Sequence, residues 1–234
     1  MASSYSTDLK LELMVTGENA GTWGDITNTN LVILQQSIAG YQSVAVNATT
    51  GLTLAFTNGA TSDGKNAVLN LTGTPTGNIN VTVPDGIEKA YIVNNAIVHG
   101  TNAVTFKTAS GTGVKLAQGN RYVLYSDATN INVAQMEQVW RAVTTTATIQ
   151  PGSAILANTN AGSFTITLPA SPSTGDVVSI IDQGYDFDTK PLTLGRNGSN
   201  IANAAADLTI NTQGAGFSLV YSGDATTGWT YREK

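Results

Sequence analysis

The sequence predicts an all-β protein: two tandem, related β-sandwich (β-roll-like) domains behind a short N-terminal arm that carries one helix. Three observations predict it. Apolar residues alternate with polar ones over short runs that end at proline. The strand runs of the first half recur in the second. Of the 234 residues, 41% are hydrophobic but only 12% charged, against roughly 25% charged in ordinary globular domains. Thr, Asn, Ser, Gly and Ala replace the missing charge, as expected where outer strand faces are hydroxyl and amide.

Taken in order, residues 1–45 break the β pattern and read as an attachment arm, its first nine residues flexible. Asp25 is placed to cap a helix through Ile26, Leu31, Leu34 and Ile38, with Gly40 as its stop. Asn28 stands where a capping box needs Glu or Gln, so the box is incomplete. Asn58–Lys65, rich in Gly, Ser and Asp, reads as a loop. Ile79, Val81 and Val83 alternate with polar residues up to Pro84; Phe164, Ile166 and Leu168 do the same up to Pro169. Each is a strand with one buried face, closed by a residue that cannot donate to a ladder.

These two strands belong to a repeat. Asn66–Leu69 matches Ser153–Leu156, Tyr91–Asn94 matches Ser179–Asp182, Val104–Phe106 matches Leu192–Leu194, and Val123–Ser126 matches Leu219–Ser222. The offset grows from 85 positions (Ile79 to Phe164) to 96 (Val123 to Leu219), as insertions in surface turns would produce. The expected domains are therefore 46–133 and 150–234. A linker helix through Met136, Val139, Trp140 and Val143 is expected over 134–149 between them.

Composition excludes several functions. A net charge of −5 argues against a nucleic-acid partner, which calls for a basic face. No apolar run approaches a membrane span, and the polar N-terminus lacks the apolar core of a secretory signal. There is no cysteine and one histidine, His99, so neither thiolate chemistry nor a His-rich metal site is expected.

Individual motifs are weak. His99 lies beside Gly100 in a loop with no G-x-S-x-G or H-E-x-x-H context, and reads as structural. Asp182, Asp186 and Asp188 crowd one loop and offer hard oxygens for Ca²⁺, but their spacing does not match an EF-hand. A glycosidase pair is no better supported, and a solvated or inter-subunit loop is the expectation. Gly111-Thr112-Gly113 reads as a turn, because it lacks the Gly-Lys-Ser/Thr ending of a phosphate loop. The glycosylation patterns at Asn47, Asn70, Asn80 and Asn197 follow from abundant Asn and Thr. No catalytic residue, metal ligand or cofactor is expected.

The candidate binding residues are aromatic and aliphatic. Tyr185, Phe187 and Trp229 sit among amides and hydroxyls, suited to sugar stacking and equally to a subunit interface, where aromatics are enriched. Trp23, Leu31 and Leu34 on the arm, with Trp140 in the linker, are candidates for attachment to a partner. Few charges protect the expected strand edges beyond Lys107 and Arg121. Unpaired edges and low charge predict a homo-oligomer, plausibly a trimer.

Three stretches carry a resemblance. Leu9–Leu13 with Gly17-Glu18-Asn19-Ala20-Gly21-Thr22-Trp23-Gly24-Asp25 and Asn28-Thr29-Asn30-Leu31 resembles an N-terminal module of virion proteins, tail fibres among them, from marine phages. Ser163–Asp182 with Leu192–Ser199 resembles a β domain of baseplate-wedge and tail-pin proteins in contractile-tail phages. Thr105–Val114 with Leu124–Asp127 is similar to the middle of the marine fibre proteins. The resemblance implies a non-enzymatic virion subunit, made in the host cytoplasm and symmetric about a tail axis. Its implied partners are other tail or baseplate proteins, alternatively the capsid, with a host surface glycan as a further expectation. The chain lacks an extended repetitive shaft, so a capsid decoration protein and a glycan-binding receptor module stand as rival readings.

Overall fold

A computed structural model of the chain describes residues 3–233. It divides into two compact units. The first takes the chain up to Val98, Val104–Val114 and Arg121–Glu137. The second takes His99–Ala103, Lys115–Asn120 and the chain from Gln138 onward.

The N-terminal segment is tied down rather than a free arm. β1 (Ser4–Tyr5) pairs antiparallel with β2 (Glu12–Leu13). The Asn30 side chain clamps β2 from the helix, accepting from Glu12 N at 3.0 Å and donating to Glu12 O at 2.9 Å. Asp8 Oδ1 accepts from Glu88 N at 2.8 Å. The helix α1 runs Trp23–Ala39, three residues earlier than Asp25 capping would allow. Thr22 is the N-cap residue and makes no side-chain cap. Asp25 instead lies in the first turn, where its charge complements the helix dipole. Gly40 ends the helix as expected, because a Cβ there would run into the Gln36 carbonyl. Ile33 is fully buried, and Ala67 N donates to Gln36 O at 3.2 Å, so the helix is built into the first unit.

Both units are mostly strand. In the first, β3 (Tyr41–Ala45), β4 (Leu52–Thr53), β5 (Val68–Thr72), β6 (Ile79–Val83), β7 (Glu88–Asn95), β8 (Val104–Thr108), β9 (Gly113–Lys115), β10 (Arg121–Asp127) and β11 (Ile131–Glu137) form two sheets. Their orders are β11-β10-β7-β5-β3 and β4-β6-β8-β9. A 3-10 turn, Asp63–Lys65, occupies the expected loop. In the second unit, β12 (Trp140–Val143), β13 (Ala147–Thr148), β14 (Ala154–Ala157), β15 (Phe164–Thr167), β16 (Val177–Asp182), β17 (Leu192–Gly195), β18 (Leu208–Ile210), β19 (Gly216–Tyr221) and β20 (Trp229–Glu233) form sheets ordered β12-β14-β16-β19-β20 and β13-β15-β17-β18.

The sandwich expectation is corrected here. Successive strands alternate between the two sheets, and each pairs parallel with the strand two places on: β3 with β5, β4 with β6, β5 with β7 and β6 with β8. The second unit repeats this with β12, β14 and β16 and with β13, β15 and β17. The chain therefore winds as a short β-solenoid, one strand per sheet per coil, before antiparallel strands finish each unit. Alternation in sequence reports which face is buried. It does not report strand direction, so the two architectures look alike at that level.

The nine-strand order recurs, β3–β11 matching β12–β20, and both outermost ladders carry a register shift, at Val123/Leu124 and Ser218/Leu219. The residue register corrects the sequence alignment by one place in three strands. Leu69 pairs with Val93 as Ile155 pairs with Ile180, and Val93 pairs with Tyr122 as Ile180 pairs with Phe217. All six are buried. Tyr91 thus answers to Val178 rather than Ser179. A one-place slip exchanges the two faces of a strand, and short runs of Val and Ile hide the slip.

The expected linker helix over 134–149 is absent. Most of those residues fall in β11, β12 and β13, with short connections between them. Trp140–Val143 pairs parallel with Ala154–Ala157, and β3 likewise belongs to the first repeat although it precedes position 46. Met136, Val139, Trp140 and Val143 mimic a helical period without caps; Val and Trp favour strands, and the ladder overrides the pattern.

The cores lie between the paired sheets. In the second unit Ile155, Val178, Ile180, Phe217 and Leu219 meet Ile166, Leu168, Leu192 and Leu194. In the first, the Tyr91 and Phe106 rings pack at a tilt with centroids 5.6 Å apart.

Candidate interaction surfaces

Two of the three expected loop aromatics are core residues. Phe187 and Trp229 are fully buried, Trp229 packing on Tyr221 at 5.5 Å. Only Tyr185 stays outside. Its backbone is left-handed at φ 55°, and its carbonyl accepts from Gln213 Nε2 at 3.0 Å.

Asp182 explains why this loop holds its shape. Its carboxylate is buried and accepts three backbone N–H groups: Asp186 and Phe187 at 3.3 Å, and Gly214 at 3.0 Å. It thereby ties the β16–β17 loop to the β18–β19 loop. Asp186 turns instead to Lys190, 3.3 Å away. Among the described residues no group of three or more His, Cys, Asp or Glu is arranged to hold a metal ion.

Other singled-out groups are also committed internally. His99 is buried, and burial aided by the nearby Arg141 charge pushes its pKa down to about 4, so it is uncharged at neutral pH. Lys65, fully buried, donates to Thr57 O at 2.6 Å and to Ala60 O, and desolvation lowers its pKa to about 8. Gly111 donates to Thr108 Oγ1 at 3.0 Å, in a turn where a Cβ would strike the Thr129 carbonyl.

The arm residues fare differently. On α1, Trp23 is 65%, Leu31 57% and Ile38 78% exposed, with Leu34 half-buried between them. Ile33 faces inward, and the Asn30 clamp lies on the flank between Ile33 and Trp23, holding β2 beside the stripe. Ile38, Val32 and the following Tyr41 are also exposed, and none of them stood out as an interface residue in the sequence. The signal that finds Ile38 is the spacing of Leu31, Leu34 and Ile38, read as a second stripe rather than as the core stripe; Val32 and Tyr41 carry no such signal. Trp140 is 43% exposed, on the edge strand β12.

The outer face of the five-stranded sheet in the first unit is ordered in rows. Ser43, Asn70, Asn94, Arg121 and Glu137 stand in register across all five strands. They bond as Asn70–Ser43 at 3.1 Å, Asn94–Asn70 at 2.7 Å and Arg121–Glu137 at 2.9 Å. The neighbouring row is apolar: Tyr41, Val68, Ile92 and Val123. In the second unit, an open groove of about 420 Å³ runs between β18 and β19, lined by Leu208, Ile210, Ala215, Phe217 and Tyr231 with Asn211 and Thr212.

No family model matches the chain, and no curated protein matches it. Among solved structures, a chain described under "Structure of a chaperone-substrate complex" is similar at 16% identity, over 81% of this chain and 35% of that one, with a TM-score of 0.35. This chain thus spans about a third of that chain's length, and so loose a superposition carries no argument about role.

Proposed function

We propose that the chain is a non-enzymatic structural subunit of a phage particle, tail-associated as a baseplate or fibre connector or a short tail fibre. The observation that carries this reading is the outer face of α1, where Trp23, Leu31 and Ile38 are exposed together on a helix anchored from behind by Ile33. An apolar stripe held rigidly in water marks an interaction site. Trp23 and Leu31 fall within the segment, Gly17–Leu31, that resembles marine phage virion modules. The low charge and the internal use of Asp182, Lys65 and His99 suit a subunit built for contacts.

The test is incorporation. Particles assembled with Leu31→Asp should lack the protein, while wild-type particles carry density for it on the tail. Density on the head would favour a capsid decoration protein, and no density on any particle would sink the reading. A second reading rests on Tyr185, which stands exposed beside Gln213 in the loops that Asp182 braces. A ring with amide neighbours suits a host surface glycan, and binding on a glycan array that Tyr185→Ala abolishes would favour it.

A further inference from the structure

The virion reading leaves open what covers α1, and we infer that its outer stripe is a self-association seam, occupied by the same helix of neighbouring copies of this chain. The inference rests on that reading only in taking α1 as a contact surface. Trp23, Thr27, Leu31, Leu34 and Ile38 recur at intervals of four, four, three and four. From Thr27 to Ile38 this is the alternating four–three spacing of a coiled-coil seam, which a like helix fits by inserting side chains between turns. A groove-binding partner would require no such regularity.

Charge and area point the same way. Across all of Trp23–Ala39 the sole charged residue is Asp25, so identical helices approach side by side with little like-charge repulsion. Thr27, at the middle of the upper half, is short, and its hydroxyl is already bonded to Trp23 O at 2.8 Å. It admits close approach without leaving a polar group unsatisfied. The helix is about 25 Å long. Trp23, nearly two-thirds exposed, lies at its N-terminal end, and such a ring buries roughly 150–250 Å² when covered. With Leu31 and Ile38 the stripe offers a few hundred Å², about half of the ~800 Å² per partner of a standard interface. Apolar patches of a few hundred Å² on a protein surface are often functional.

The chain has no cysteine, so single cysteines report the seam directly. Thr27→Cys lies on the stripe, and Asn28→Cys is exposed one residue off it. Docked helices hold the Thr27→Cys thiols together at an effective millimolar concentration, so under mild oxidant at micromolar protein it should form disulfide-linked dimers roughly a hundredfold faster than Asn28→Cys. Wild type should sediment as a multiple of 24.2 kDa, and Leu31→Asp/Ile38→Asp as a folded monomer. Equal linking of the two cysteine variants, or a wild type that stays monomeric at high micromolar concentration, overturns the inference. If the wild type is monomeric and Leu31→Asp is still lost from particles, self-association fails while the virion reading survives. If α1 self-associates but particles carry no density, the seam stands and the virion reading fails.

Discussion

Asp182 shows how a residue read as a potential ligand serves the fold instead. Its buried carboxylate is the shared acceptor for Asp186, Phe187 and Gly214 N–H. Asp182→Ala strands those donors and should destabilise the second unit by about 2–3 kcal/mol, with Asp182→Asn costing less. Chemical denaturation checks both, and an unchanged midpoint for the alanine variant would refute the role. His99 makes a pH prediction. Its folded pKa, about 4, lies below the unfolded value of 6.5, so the unfolded chain takes up the proton first. Stability is intact above pH 6.5 and falls as pH drops toward 4, by up to about 3 kcal/mol. Because His99 is the single histidine, His99→Gln should flatten a stability–pH curve between 4.5 and 6.5.

At the scale of elements, α1 has two apolar faces with different duties. Ile33→Ala should cost about 2–4 kcal/mol, as for other fully buried large-to-small changes. Leu31→Ala, on the exposed face, should leave the melting of dilute protein nearly unchanged. A large loss from Leu31→Ala at concentrations where the chain is monomeric would contradict the outward placement. The helix itself was legible in sequence because its apolar spacing and Gly40 stop are local signals. Its start was not: Asp25 looks like a cap, but the turn from Asn19 to Thr22 fixes the first N–H groups, Thr22 and Trp23 both donating to Asn19 O. The Met136–Val143 segment failed for the converse reason. Its helical spacing is real, but partners at Arg121–Ser126 and Ala154–Ala157, distant or later in sequence, hold it extended.

At the scale of the whole molecule, the second unit includes residues outside its own strand series. Leu116 and Ala117 are fully buried. Asn120 Nδ2 donates to Gly152 O at 2.9 Å and its Oδ1 accepts from Val139 N at 3.1 Å, while Lys115 Nζ reaches the Ala170 and Ser171 carbonyls. A fragment of residues 138–234 should therefore be less stable than one of residues 99–234, by at least about 3 kcal/mol from the lost leucine burial and hydrogen bonds. Urea titration of the two fragments measures this, and coincident curves would mean that the loops add nothing.

The sequence by itself determined that this protein is β-rich, that Ile79–Val83 and Phe164–Leu168 bury one face and end at proline, and that a strand series recurs. Each follows from side-chain period and local backbone chemistry, which act within a few residues. Only the tertiary structure decided that the strands wind parallel between two sheets, that Tyr91 answers to Val178, that Phe187 and Trp229 are core, and that Leu31 and Ile38 face outward. Those outcomes depend on which distant segment supplies the next ladder or covers the next face. Apolar period alone cannot distinguish a stripe turned toward the core from one turned away.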